Sequence, residues 1–285
     1  MKLSYICLGL YAGIGVLTQG HAAGTVILDD EASRYTSISA ALAKAKTKTP
    51  TLKLTVDHKE AGNIDLSTFS RVTIVSDSTT NRTITPSGKG LPLFKDADTY
   101  PLTLTLSDVT VTEFSDAREG YGGDIDAGTV NITVGPGAVA FTKNTVSNVD
   151  YAAALGGAIN GGDVILSGDS NLNFMGNTVN GSGGCGGAVN ADGSLIFSGS
   201  KTQTVTFDGN TVNGIGVAGG AISAGRITGT AKHNLFLLTI PLRAVAQEGV
   251  LSMLIRLLFP TQQPLEITRL RGLVPQGALF ILIVP

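Results

Sequence analysis

The sequence predicts an all-β chain wound as a right-handed parallel β-helix, with a short N-terminal capping helix and an irregular C-terminal tail. Three observations carry this. First, two motifs alternate in register. Phe141-Thr142-Lys143-Asn144-Thr145 recurs as Phe174-Met175-Gly176-Asn177-Thr178 and Phe207-Asp208-Gly209-Asn210-Thr211, 33 residues apart each time. Between them lie Gly156-Gly157-Ala158-Ile159, Gly186-Gly187-Ala188-Val189 and Gly219-Gly220-Ala221-Ile222, at spacings of 30 and 33. Second, the intervening runs are short and β-rich, with no helical periodicity. Third, 26 of the 37 glycines fall within residues 120–231 and only three within 232–285, so glycine follows the repeat.

The N-terminal end reads as a secretory signal. Met1-Lys2 is followed by a mostly apolar run from Leu3 to Leu17, then by Gly20 and Ala22 at the small-residue positions of a cleavage site after Ala22. The run is shorter than the roughly 20 residues that a membrane helix needs. Residues 1–22 are therefore assigned to a signal peptide, and no membrane span is expected in the mature chain. One cysteine is left after cleavage, Cys185, within Gly183-Gly184-Cys185-Gly186-Gly187. It has no internal partner and is either an intermolecular thiol or a small residue in a glycine-rich turn.

Residues 23–119 read as a β-rich cap and first coils. Ser37 to Ala45 reads as one short helix, with Ile38, Ala41, Leu42 and Ala45 on one face. It is followed by strand-like runs at Leu52-Lys53-Leu54-Thr55-Val56, Val72–Val75, Leu102–Leu106 and Val109–Val111. A helix over the first coil would close the solenoid end, as such folds require for solubility.

Residues 120–231 form the repeat domain, with Gly122-Gly123-Asp124-Ile125 as a degenerate first copy. In each copy the Gly-Gly pair permits a positive-φ turn or a close approach of adjacent coils. Ala and a β-branched residue then start a strand. A second strand follows, as in Asp163-Val164-Ile165-Leu166-Ser167, and a third runs into the Phe, as in Gln203-Thr204-Val205-Thr206-Phe207. Asn and Gly after the Phe suit a turn. Phe141, Phe174 and Phe207 are expected to stack in the core, as are Ile159, Val189 and Ile222. Each such burial contributes roughly 1.5–3 kcal/mol. Asn144, Asn177 and Asn210 should form a ladder of amides.

These alternating Gly-Gly-Ala-[Ile/Val] and Phe-x-x-Asn tetrapeptides, behind a signal peptide, resemble the chlamydial polymorphic outer membrane proteins. Those are autotransporters with a β-helical passenger and a C-terminal membrane barrel. The resemblance covers residues 120–231 and the N-terminal layout. It implies a non-enzymatic, adhesin-like passenger, at the outer membrane or cell surface in the full-length family. For this chain it implies a periplasmic or secreted location. The implied partner is a host-cell surface receptor or another copy of the chain, with the repeat motifs serving structure and adhesion. No series of alternating strands of about 9–11 residues precedes Pro285, so the barrel is expected to be lacking.

The tail, residues 232–285, departs from this pattern: it holds five of the ten prolines and 13 leucines. A separate small domain, a membrane segment and an out-of-frame stretch compete. Pro241, Arg243, Glu248, Arg256 and Pro260 interrupt any span. Shifting the codons, with the third base of each residue joined to the first two of the next, allows repeat motifs again. Gly-Gly-Ala-Val-Asn-Ala-Asp fits across Glu248–Ile255, Gly-Gly-Ala-Ile-Tyr across Gln276–Ile281, and Phe-x-x-Asn-Asn-Thr across Leu235–Pro241. The tail is read as frameshifted between about Arg226 and His233, which makes a non-functional product one outcome. Such a tail should leave the edge near Ala221–Thr228 open to other strands.

No catalytic, metal or cofactor site is expected. Charged residues are 15% of the chain and the net charge is −2, so there is no basic excess to neutralise nucleic-acid phosphates. Gly214-Ile215-Gly216-Val217-Ala218-Gly219 matches a dinucleotide-binding pattern but leads into Gly-Gly-Ala-Ile rather than a helix. The mature histidines, His58 and His233, lack metal-ligand spacing. The alternative is a secreted carbohydrate-active β-helix enzyme similar to polysaccharide lyases. It would need clustered carboxylates with nearby cations. Asp163, Asp169, Asp192 and Asp208 are the candidates, but they sit at different repeat phases. Lys143, Lys201 and Arg226 are the only basic residues from 121 to 231.

Overall fold

Runs that alternate apolar and polar residues cannot bury their own apolar side, so each pairs with the runs one coil above and below. The result, seen in a computed structural model, is a parallel β-solenoid. It describes residues 25–229 except 30–32, 79, 89, 96–100, 117–122, 148–153, 199–202, 215–216 and 218, together with three strands of the tail. Residues 1–22, expected to be a signal peptide, and His233 lie outside the described residues.

At the N-terminal end, β1 (Val26–Leu28) pairs antiparallel with β2 (Arg34–Tyr35) and with β3 (Thr51–Leu54). The helix α1 spans Ile38–Leu42 and buries Ile38, Ala41 and Leu42. Ser37 caps it, accepting the Ala40 N–H at 2.9 Å. The helix is shorter than the sequence implied because its end tightens. Lys44 and Ala45 donate to Ala41 and Leu42, three residues back, although Ala45 still packs on the core.

The coils are then built from β4 (His58–Glu60), β5 (Ile64–Asp65), β6 (Val72–Ser76), β7 (Arg82–Pro86), β8 (Phe94–Lys95), β9 (Leu102–Ser107), β10 (Val109–Thr112) and β11 (Ser115–Asp116). Three repeat coils follow: β12 (Ile125–Val134), β13 (Val139–Thr142) and β14 (Thr145–Ser147); β15 (Ile159–Gly168), β16 (Leu172–Met175) and β17 (Thr178–Asn180); β18 (Val189–Ser198), β19 (Thr204–Asp208) and β20 (Thr211–Asn213). β21 (Ile222–Gly229) begins one more. The first sheet stacks β3-β6-β9-β12-β15-β18-β21, the second β4-β7-β10-β13-β16-β19, and the third β11-β14-β17-β20.

Two features differ from the sequence reading. The Ala-Ile start and the following Asp163–Ser167 run are one strand, β15, not two. The register shift lies between Gly161 and Val164, where β18 carries one more residue. A bulge absorbs the insertion while the flanking pairs keep their register. In the two earlier coils this course is divided: β5 pairs with β8 and β6 with β9, and β8 then pairs with the start of β12 and β9 with its end. Second, the Thr-Val-Asn segments after the Phe-x-x-Asn motif are not only turns but the strands of the third sheet. Three residues are too few to show periodicity.

Phe141, Phe174 and Phe207 are fully buried and stack, with ring centroids 5.3 Å and 4.8 Å apart and planes within 10°. Ile159 and Val189 are also fully buried, in register with each other and with Ile222, which is partly buried in the last described coil. A smaller apolar row of Val146, Val179 and Val212 lines the third sheet.

The tail is not irregular throughout, which corrects the expectation. β22 (Leu235–Leu242) continues the second sheet in parallel on β19, β23 (Leu251–Leu257) pairs antiparallel with β22, and β24 (Leu265–Thr268) pairs antiparallel with β21. The edge expected to stay open is thereby covered at Arg226–Gly229. The reason is that an exposed strand edge accepts any extended segment through its backbone alone, whether or not that segment keeps the repeat. Among the described residues no helix is long and apolar enough to cross a membrane, which says nothing of β-barrels.

Candidate functional site

The repeat motifs build two corners of each coil. At the first corner the glycines of a pair have separate tasks. Gly156, Gly186 and Gly219 have φ of 57°, 63° and 64°, the left-handed region that favours glycine. The second glycine allows close approach: a Cβ on Gly187 would lie 2.1 Å from the Gly220 carbonyl oxygen and 2.7 Å from the Thr211 nitrogen. Both alternatives offered by the sequence are thus used, one by each residue. Ala158, Ala188 and Ala221 follow, fully buried.

At the second corner Asn144, Asn177 and Asn210 form a buried ladder. Asn144 Oδ1 accepts the Phe114 N–H at 3.1 Å, Asn177 Oδ1 the Asn144 N–H at 3.1 Å, and Asn210 Oδ1 the Asn177 N–H at 3.0 Å. Their Nδ2 atoms donate to the carbonyls of Val111, Phe141 and Phe174 at 3.3, 3.0 and 2.9 Å. These corners satisfy backbone groups that would otherwise be orphaned inside the turn. The motif residues therefore hold the coils, and the surface is made by others.

That surface consists of rows. On the first sheet Thr51, Thr73, Thr105, Thr133, Ser167 and Ser198 pair successively in register, each partly exposed. On the third, Ser115, Thr145, Thr178 and Thr211 do the same. Beside that row Asn213 Nδ2 donates to Asn180 Oδ1 at 2.9 Å, and Asn180 Nδ2 to Ser147 Oγ at 3.3 Å. Adjacent rungs repeat at the strand spacing of about 4.7–4.9 Å. The sequence hints at the first-sheet row through Thr103-x-Thr105, but only coil register aligns it. A groove of about 600 Å³ lies beside the first-sheet row, lined in part by Lys48, Phe69, Thr103 and Asn131.

A second cluster, which the sequence did not signal as a unit, closes the N-terminal cap. His58 Nε2 lies 3.0 Å from Glu60 Oε2, and His58 Nδ1 lies 2.8 Å from Thr25 Oγ1. Glu60 also accepts the Ile38 N–H at 2.7 Å and the Ser39 hydroxyl at 3.0 Å. Burial pushes the Glu60 carboxyl up, but the hydrogen bonds from His58, Ile38 and Ser39 outweigh it and hold the group below its ordinary value. His58 and Glu60 are 3% and 2% exposed, so a substrate has no access to them. The cluster locks α1 and β1 onto β4. The readable signal was His-x-Glu on an alternating strand, which puts both side chains on one face.

The acidic candidates are dispersed. Asp163 accepts the Ser194 N–H at 2.7 Å and Asp192 accepts from Asn190 at 3.1 Å, both on the first sheet, whereas Asp208 lies on the second. Asp169 lies past the end of β15. Among the described residues no group of three or more His, Cys, Asp or Glu side chains could hold a metal ion. Cys185 is a partly exposed free thiol, bridged through its backbone to Leu155, with Sγ 3.5 Å from the Gly183 carbonyl oxygen. Of the dinucleotide-like pattern, Gly214, Val217 and Gly219 are described, and Gly219 leads into a strand. Compared with known proteins, the chain matches no family model, no curated protein and no solved structure.

Proposed function

We propose that the chain is an exported, non-enzymatic, adhesin-like β-helical passenger of the autotransporter type, whose coils bind a host-cell surface or a second copy of the chain. The observation that supports it most is the six-rung hydroxyl row from Thr51 to Ser198 on the first sheet. A repeated outward side chain gives many weak, identical contacts along one axis, the arrangement that yields avidity without a deep pocket. The family resemblance of the Gly-Gly-Ala and Phe-x-x-Asn motifs points the same way.

The test is retention of beads coated with the mature chain on cultured cells. Replacing Thr105, Thr133 and Ser167 together by Lys should reduce retention while leaving the circular dichroism spectrum unchanged. Equal retention of wild type and triple variant would sink the role of the row. Cleavage of a soluble polysaccharide, abolished by Asp163→Asn or Asp192→Asn, would instead support the carbohydrate-active alternative. The frameshift belongs to the same reading: the coding DNA downstream of His233 should resume the repeat motifs in the shifted frame. Immediate stop codons there would overturn that part.

A further inference from the structure

The degenerate repeat copy contains an anomaly. Asp124 occupies the position of the repeat alanines: Asp124 N donates to Ala158 O at 2.6 Å, Ala158 N to Ala188 O at 2.8 Å, and Ala188 N to Ala221 O at 2.8 Å. All four residues are fully buried. Among the described residues, both oxygens of the Asp124 carboxyl lack a hydrogen-bond partner. The neighbouring coils offer apolar side chains. β8 contributes Phe94, whose N–H reaches Asp124 O at 2.8 Å, preceded by buried Leu93, and β15 contributes Ile159 after Ala158.

The charged groups of these elements make no hydrogen bond to this carboxyl. Lys95 is exposed and pairs by its backbone with Asp126, whose carboxylate accepts from Asn160 at 2.9 Å. Asp116, buried on β11, has its own partner. The carboxyl also has little freedom to swing out. The preceding Gly123 has φ of 91°, and a Cβ there would lie 2.6 Å from the carbonyl oxygens of both Gly156 and Ala158. An ionised carboxylate in such a place has neither water nor a donor, a cost that proteins avoid by keeping the proton.

The position within the fold gives this a consequence. Asp124 lies where the N-terminal coils join the repeat coils. The contact there between β8 and β12 is only two residue pairs, whereas β9 holds the other end of β12 with five. We propose that Asp124 is a proton-dependent latch between the cap coils and the repeat coils, closed while its carboxyl is protonated and loosened when it ionises. Loosening frees the start of β12 and the edge of β8, leaving the long strand pairs intact.

Burial alone pushes this carboxyl well above its ordinary value of 3.8. The folded coil then binds more protons than the open one. Latch stability is full below the ordinary value and falls as pH rises towards the raised one.

The test is amide hydrogen exchange of the mature chain between pH 5 and 8, with rates corrected for their intrinsic pH dependence. The protection of the Phe94, Asp124 and Ile125 amides should fall by up to about tenfold per pH unit. That of Ala188 and Val189, two coils further on, should not. Asp124→Ala, which restores the alanine row, and Asp124→Asn, which keeps the shape but cannot ionise, should both abolish the fall. Protection at these amides that is flat with pH in the wild type, or that falls equally in both variants, would overturn the proposal.

Discussion

The side-chain oxygen of Asn210 accepts both the backbone N–H of Asn177, at 3.0 Å, and its side-chain N–H, at 2.9 Å. One amide thus serves the corner below it as a backbone would. Asn177 Oδ1 accepts the backbone N–H of Asn144, and Asn177 Nδ2 also holds the Phe141 carbonyl. Asn177→Ala removes all of these at a site with no access to water. Leaving buried groups unpaired costs about 1–3 kcal/mol each, so a loss of about 2–5 kcal/mol is expected in urea unfolding. A loss no larger than that of a partly exposed substitution such as Asn173→Ala would show that the ladder does not hold the corner.

The glycine pairs predict a contrast. At Gly187 an added methyl meets backbone atoms of Gly220 and Thr211, which cannot move without shifting a coil. Gly187→Ala should cost about 3 kcal/mol, at the upper end of overpacking. At Gly176 φ is 64° but nothing lies within 4 Å of the added Cβ. Gly176→Ala should cost only the left-handed backbone term, about 1 kcal/mol. Thermal unfolding of the two variants side by side gives the order; equal losses would refute separate roles for turn glycines and contact glycines.

The cap predicts an acid limb of stability. The Glu60 carboxyl is held below its ordinary value of 4.5, so its contribution is present above that value and is lost as pH falls through the depressed one. Glu60→Gln keeps the shape but weakens the bonds from His58, Ile38 and Ser39. A loss of about 1–3 kcal/mol is expected at pH 7, with a flatter acid limb. Denaturation midpoints from pH 3 to pH 7 measure this, and an unchanged acid limb in the variant would refute it. Asp124 has the opposite sign, so its variants change the other side of the profile.

The motifs located the coils because their residues answer to local constraints. Gly186 needs a positive φ, Phe174 needs the core, and Asn177 needs a tight corner, so each is restricted to one residue type and shows as a repeat. The third sheet was hidden because Thr178-Val179-Asn180 is too short to display a period. The hydroxyl rows were hidden for another reason: Thr105, Thr133 and Ser167 are about 30 residues apart and only modestly restricted as outward positions. The His58–Glu60–Thr25 cluster was partly legible as His-x-Glu, but Thr25 comes from the far side of the cap.

By itself the sequence determined the winding: alternation set which side chains turn inward, and the glycine and asparagine spacing set the coil length. Tertiary structure alone decided which residues from different coils meet. The pairing of Asp124 with an alanine row, the joining of Thr51 to Ser198 across six strands, and the seating of tail strands on β19 and β21 all depend on register. A coil can gain or lose a residue in a bulge, as β18 does, without any change in its inward pattern. Local periodicity therefore fixes the direction of each side chain, whereas its neighbours, and with them burial and charge state, are fixed only when the coils stack.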